Sequence, residues 1–92
     1  MAIVQVTSAP SRAAYDAVQH IVRLDRDRPA GMIVHAAAEQ ADGSVLMVDV
    51  WDSHAAMDAF EHDRLFPAFA SMPVNPMQEP PARLEIFELV RA

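Results

Sequence analysis

The side chains of this sequence that could do chemistry cluster on one stretch of chain. His35 lies among Met32, Ile33, Val34, Ala36, Ala37 and Ala38, and Asp49 sits in the middle of VLMVDVW, Val45 to Trp51. That second run holds five aliphatic or sulfur side chains plus Trp51, a strand pattern interrupted by one carboxylate. Left dry and unpaired, such a carboxylate is costly, so it needs a partner, an edge position or a wet pocket. An imidazole in contact with a carboxylate is an acid/base pair, because the carboxylate fixes the ring tautomer and favours proton uptake. The same pair can equally serve only to satisfy two polar groups in a strand. Trp51, two residues from Asp49 and on its face, would be either the flat wall of an aromatic-ligand pocket or a core residue. Tyr15, Met47 and Phe60 complete the candidate substrate-binding set: Tyr15 can pack its ring and turn its hydroxyl to a cavity, and methionine adapts to irregular apolar shapes.

Whether His35 meets Asp49 depends on the connection Gln40-Ala41-Asp42-Gly43-Ser44. If Gln40 pairs with Ser44 around a three-residue Ala41-Asp42-Gly43 loop, His35 falls opposite Asp49 and both point to one face. If the turn is a two-residue Asp-Gly turn, Ala36 faces Asp49 instead. Ala-Asp-Gly suits a type I turn closed by a glycine bulge, so the first register is the expected one.

The elements that must position these residues follow from periodicity. Ile3 to Thr7 is a short β-branched run ended by Ser8-Ala9-Pro10. Ser11 is an N-cap residue, and Ala14, Tyr15, Val18, Ile21 and Val22 form the apolar stripe of a helix lying on a sheet. Leu24 to Ala30 is a charged loop closed by Pro29 and Gly31, and Met32 to Glu39 is a second strand. After Trp51, Asp52 and Ser53 offer capping oxygens to a helix whose Ala56, Met57 and Phe60 share one side; Leu65 to Phe69 continues it, with Pro67 near a new start. His62 stands four residues after Asp58, a surface pair. Met72 to Pro81 carries four prolines and reads as an extended arm, at the subunit boundary or pocket mouth. Leu84 to Val90 alternates as a closing strand. The order strand, helix, strand, strand, helix, strand predicts a single α+β domain over residues 1–92. It is the ferredoxin-like split βαβ arrangement, an antiparallel sheet with two helices on one face. The central strand is apolar on both faces, so the uncovered face requires a second sheet, and hence a homodimer.

Composition narrows the classes. The formal net charge of -6, with seven arginines and no lysine, argues against nucleic acid and anionic membranes and excludes a lysine Schiff base. No cysteine is present, which removes disulfides and thiolate chemistry. No HxH, HExxH or carboxylate cluster has metal-site spacing, and two glycines cannot build a phosphate loop, so neither metal nor nucleotide cofactor is expected. Neither a secretory leader nor a spanning segment is expected, and the reading is a cytoplasmic protein.

The stretch GMIVHAAAEQADGSVLMVDVWDSHAAMDAF resembles the strand-hairpin-strand-helix core of small proteins related to antibiotic biosynthesis monooxygenases, in the dimeric α/β-barrel superfamily. The resemblance spans the whole chain. It implies two facing sheets from two subunits and an apolar pocket for an aromatic or polyketide-like metabolite. Its members include cofactor-free monooxygenases, haem-degrading enzymes, cyclases and isomerases. Where haem-degrading members carry Asn, Trp and His, this chain carries Gln5, Phe60 and Ala70, so no haem ligand is carried across and no cofactor is expected. The resemblance therefore implies a cofactor-free monooxygenase. An acid/base cyclase or isomerase using His35 and Asp49, and a non-catalytic small-molecule-binding protein, are the alternatives.

Overall fold

The structure, a computed structural model, describes residues 1–72 and 81–91. The elements are β1 (Ile3–Ala9), α1 (Arg12–Val22), β2 (Met32–Glu39), β3 (Val45–Trp51), α2 (His54–Phe60), a π-helical turn (Glu61–Leu65), α3 (Phe66–Ala70) and β4 (Ala82–Glu85). The strands form one antiparallel sheet in the order β2-β3-β1-β4. This is the ferredoxin-like α+β arrangement. The arm expected over Met72 to Pro81 falls almost wholly on residues 73–80, which lie outside the described residues.

The β2–β3 connection is the three-residue loop. Gly43 takes φ +88°, its N–H donates to the Gln40 carbonyl at 3.0 Å, and the Gln40 N–H donates to the Ser44 carbonyl at 2.7 Å. Asp42 holds the loop from within, accepting from the Ser44 N–H at 2.9 Å and from its hydroxyl at 2.6 Å. Those hydrogen bonds hold the Asp42 carboxyl below its ordinary pKa. The resulting register sets His35 opposite Asp49.

A second irregularity lies at the other end of β2. Met32 pairs with Trp51 but Val34 pairs with Val50, so Ile33 is an extra residue bulged from the ladder. Strict alternation would send Met32 and His35 to opposite faces. The bulge puts both under the helices, Met32 in the core and His35 above it.

Helix α1 is capped by Ser11, whose hydroxyl accepts from the Ala14 N–H at 3.1 Å. At about 3.6 residues per turn, Ala14, Val18 and Val22 form its central line, with Tyr15 on one flank and Ile21 on the other. Ile21, expected in the buried stripe, is 46% exposed for that reason. Helix α2 is capped in the same way by Ser53, and Met57 and Phe60 are buried beneath it. Pro67 has no N–H for the carbonyl of Asp63, and its ring crowds that turn. The chain widens there, and the Phe66 N–H reaches back five residues to Glu61. The turn also changes surface pairing: His62 bonds Asp63 at 2.9 Å, and Asp58, expected to be its partner, is taken by Arg83 at 2.6 Å.

The core is Ile3, Val22, Met32, Trp51, Met57, Phe60 and Ala68. Gly31, at φ +84°, closes it at one end. A β-carbon there would stand 2.5 Å from the Cβ of Ala56 and 2.7 Å from Asp52 Oδ1, so only glycine lets α2 seat against the start of β2. The closing strand is shorter and earlier than the expected Leu84 to Val90. Glu85 pairs with Ile3, the Ile86 N–H adds a last bond to the Ala2 carbonyl at 2.9 Å, and β1 offers nothing beyond. Phe87 and Val90 therefore leave the sheet and stand exposed.

Candidate functional site

The site is built on the helix-covered face of β1, β2 and β3, where alternate residues point to α1. His35 Nδ1 lies 2.5 Å from Asp49 Oδ1, and His35 Nε2 lies 2.8 Å from the hydroxyl of Tyr15 on α1. Both side chains of the His–Asp pair are about five-sixths buried, at 16% and 17% exposure. A carboxylate can only accept, so Nδ1 carries a ring proton, and in the neutral imidazole Nε2 is the acceptor for the Tyr15 O–H. The tyrosine and imidazole rings are nearly parallel, 5° apart, with centroids 6.1 Å apart. Burial first, and then the negative charge of Asp49, push the Tyr15 phenol above its ordinary value of 10.0. At neutral pH Tyr15 is thus a proton donor to His35, and the three groups form a line along which one proton can shift.

This line borders two clefts. The larger, of about 880 Å³, runs between the sheet and the helices and is lined by Gln5, Met47, Phe60, Leu65 and Phe69 together with Tyr15, His35 and Asp49. The smaller, of about 680 Å³, lies outside α1 along β2; Tyr15 and His35 form part of its wall, with Arg23, Arg26 and Arg28 on its rim. The candidate residues thus separate into two groups. Tyr15, His35, Met47, Asp49 and Phe60 come together around the larger cleft. Trp51 does not line either cleft: it is fully buried, packed against Phe60 with ring centroids 5.3 Å apart, and supports the wall from behind.

Two residues that shape the site were not singled out from the sequence as part of it. Gln5 stands opposite Asp49 on β1, is 5% exposed, and its Oε1 has no hydrogen-bond partner. Its signal was its place between Ile3 and Thr7 in a short apolar strand. Arg83, opposite Gln5 on β4, bonds Asp58 at 2.6 Å and Glu61 at 2.6 Å, tying the edge strand to α2. Burial works against its charge, but the two carboxylates outweigh it and raise its pKa. Arg64 ties the helices to each other, donating to the Val22 carbonyl at the end of α1 while it lies over the Phe60 ring. Among the described residues there is no cluster of three or more His, Asp or Glu side chains arranged to hold a metal, and no helix is long and apolar enough to cross a membrane.

No protein-family model matches the chain, and neither does any curated protein. Solved structures do. A candidate antibiotic biosynthesis monooxygenase of Deinococcus radiodurans superposes with a TM-score of 0.70 at 18% identity, covering 100% of this chain and 98% of that one. Rv0793 of Mycobacterium tuberculosis gives 0.68 at 16% identity, covering 100% and 99%. The haem-degrading protein Rv3592 of the same organism gives 0.55 at 15% identity, covering 99% and 100%. At such identities the likeness speaks for the fold: this chain has the ferredoxin-like fold of the antibiotic biosynthesis monooxygenase-like proteins.

Proposed function

We propose that this chain is a cofactor-independent enzyme that removes a proton from an aromatic or polyketide-like metabolite held in the larger cleft and lets the resulting carbanion react with dioxygen. The observation that carries the reading is the unbroken line from the Tyr15 hydroxyl through His35 to Asp49. As Tyr15 takes the substrate proton, its own passes to His35 Nε2, and the imidazolium is held by the Asp49 carboxylate. The raised pKa of Tyr15 is no obstacle, because the phenolate need never stand alone. The charge then resides on the substrate, whose ring system delocalises it among the apolar walls of Met47 and Phe60. For a ring CH₂ the balance is CH₂ + O₂ → C=O + H₂O: a C–O bond forms to dioxygen, the hydroperoxide loses water, and the substrate supplies the electrons. The candidate monooxygenase among the structural neighbours supports this fate of the carbanion.

The proton line itself favours a second reading, an acid/base cyclase or isomerase in which the carbanion is reprotonated or attacks within the same molecule. Anthrone separates the two. In deuterated buffer under air, the first reading predicts that the protein accelerates uptake of one dioxygen per anthrone with formation of anthraquinone. Accelerated deuterium exchange at the CH₂ without dioxygen uptake supports the second, and neither effect removes both.

Haem does not fit the residues present. His35 is the one histidine lining the larger cleft among the described residues, and both of its nitrogens are engaged. Added haemin should give no saturating Soret shift near one haem per subunit.

The working unit in this reading is a cytoplasmic homodimer. The sheet face away from the helices carries Val6, Val34, Leu46 and Leu84, between 37% and 61% exposed, and a second copy of that face is its natural cover.

A further inference from the structure

We infer that the smaller cleft, outside α1 along β2, is a binding site for a small organic anion: a carboxylate or phosphate group carried on an apolar body. The inference is independent of the reaction proposed for the larger cleft. The end of α1 supplies Gln19, the loop after it supplies Arg23, Leu24, Arg26 and Arg28, and the start of the edge strand β2 supplies Ile33. Three of the chain's seven arginines thus stand in the short segment from Arg23 to Arg28, in a chain whose formal net charge is -6. The backbone gathers them. Arg23 takes the left-handed conformation at φ +54°, and its carbonyl accepts from the Arg26 N–H at 3.1 Å and the Asp27 N–H at 2.8 Å, so the segment coils back on itself.

Holding like charges together is unfavourable unless a counter-charge meets them, and the protein supplies little of it. Asp27 lies 3.7 Å from Arg64, and Asp16 on α1 is taken by Arg12 at 3.0 Å, which leaves Asp25 against three guanidinium groups. Among the described residues neither Arg26 nor Arg28 has an ion pair or a side-chain hydrogen bond, and Arg23 makes one weak bond, from Nε to the His20 carbonyl at 3.4 Å. A helix that ends in a left-handed residue ordinarily uses glycine or asparagine there, so arginine gives up backbone ease for its side chain. The floor beneath these charges is apolar. Ile33 is the residue that the bulge takes out of the ladder, and it lines the cleft beside Leu24. Planar guanidinium forks match carboxylate and phosphate oxygens, and over an apolar floor they fit an anion with an apolar body better than a bare ion.

The test titrates the full chain with phenyl phosphate and with benzoate, following backbone amide shifts by NMR, with benzyl alcohol and inorganic phosphate as controls. At least one aryl anion should saturate at millimolar concentration, with shifts centred on Gln19, Ile33 and the segment from Arg23 to Arg28, and should bind about tenfold more tightly than either control. Arg26 and Arg28 are exposed, so replacing both by glutamine should leave the fold intact and weaken that anion by about tenfold or more. Arg91→Gln, which removes a charge outside the cleft, should change the affinity by less than about twofold. Arg23→Gly separates binding from structure: glycine suits the left-handed backbone, so the unfolding midpoint should hold while the affinity falls. If that variant lowers both, the double variant decides alone. The inference is overturned if neither aryl anion binds, if either control binds equally well, or if the double variant binds as wild type does. Shifts centred on Gln5, Met47 and Phe69 would place the probe in the larger cleft and overturn it too.

Discussion

The two faces of this sheet depart from the usual division between inside and outside in opposite ways. The face under the helices buries Gln5, His35 and Asp49 beside Ile3 and Trp51, whereas the other face leaves Val6, Val34, Leu46 and Leu84 open. An antiparallel sheet with one solvated face ordinarily hides its apolar residues and shows its polar ones. Polar groups kept inside at a desolvation cost need a compensating role, and here they are arranged in a line that can move a proton. Apolar groups kept outside need cover, and here they form one side of strands that are otherwise well packed. The covered face is read as the reactive one and the open face as the assembling one.

The largest effect should come from the covered face. His35→Ala should lower turnover by about 10²-fold or more, and Asp49→Asn should do the same by releasing the ring tautomer. Steady-state kinetics alongside thermal unfolding distinguish this from simple loss of fold. If both variants stay folded and keep full activity, the covered face is structural.

The open face gives the next effect. Val34→Glu places a charge within the proposed contact between copies and should convert a dimer of about twice 10.1 kDa to a monomer by light scattering. A wild-type monomer at micromolar concentration would remove the contrast.

Gly31→Ala tests the helix cover rather than the chemistry. A methyl group against Ala56 and Asp52 at positive φ should cost about 1 to 3 kcal/mol of unfolding free energy in a denaturant titration. The smallest effect is a pH dependence. Tyr15 is the single tyrosine, so its ultraviolet titration is unambiguous. Its midpoint should lie above 10.0 and move partway back in Asp49→Asn, since burial remains when the charge is gone. Because the folded protein holds this proton more tightly than the unfolded chain, the associated stability is complete below the unfolded value of about 10 and is lost as pH rises from there through the folded value. Tyr15→Phe should flatten that alkaline loss.

How much of this was legible in the sequence varies with the range of the interactions responsible. The strand and helix order followed from periodicity. The pairing of His35 with Asp49 followed from Ala41-Asp42-Gly43, because a short loop confines its own geometry. The bulge at Ile33 was not legible, since it depends on Gly31 and Met32 fitting against α2 and Trp51, contacts distant in sequence. The end of β4 was not legible either: its alternation runs on to Val90, but its partner strand begins at Ile3. Tyr15 was visible as a candidate, and its bond to His35 was not, because it required the relative placement of α1 and β2. Gln5 looked like any polar residue in a strand until its neighbours were known to be an acceptor and a committed arginine.

The most direct test of the Tyr15–His35–Asp49 line is the nitrogen-15 NMR spectrum of the histidine rings at pH 8, with His35 assigned through its Ala or Gln variant. His35 should be held in one tautomer, with a slowly exchanging Nδ1–H bonded to Asp49 and a bare Nε2 facing Tyr15, and Asp49→Asn should disturb this state. A His35 ring protonated at Nε2, or averaging freely between tautomers as an exposed histidine does, would contradict it.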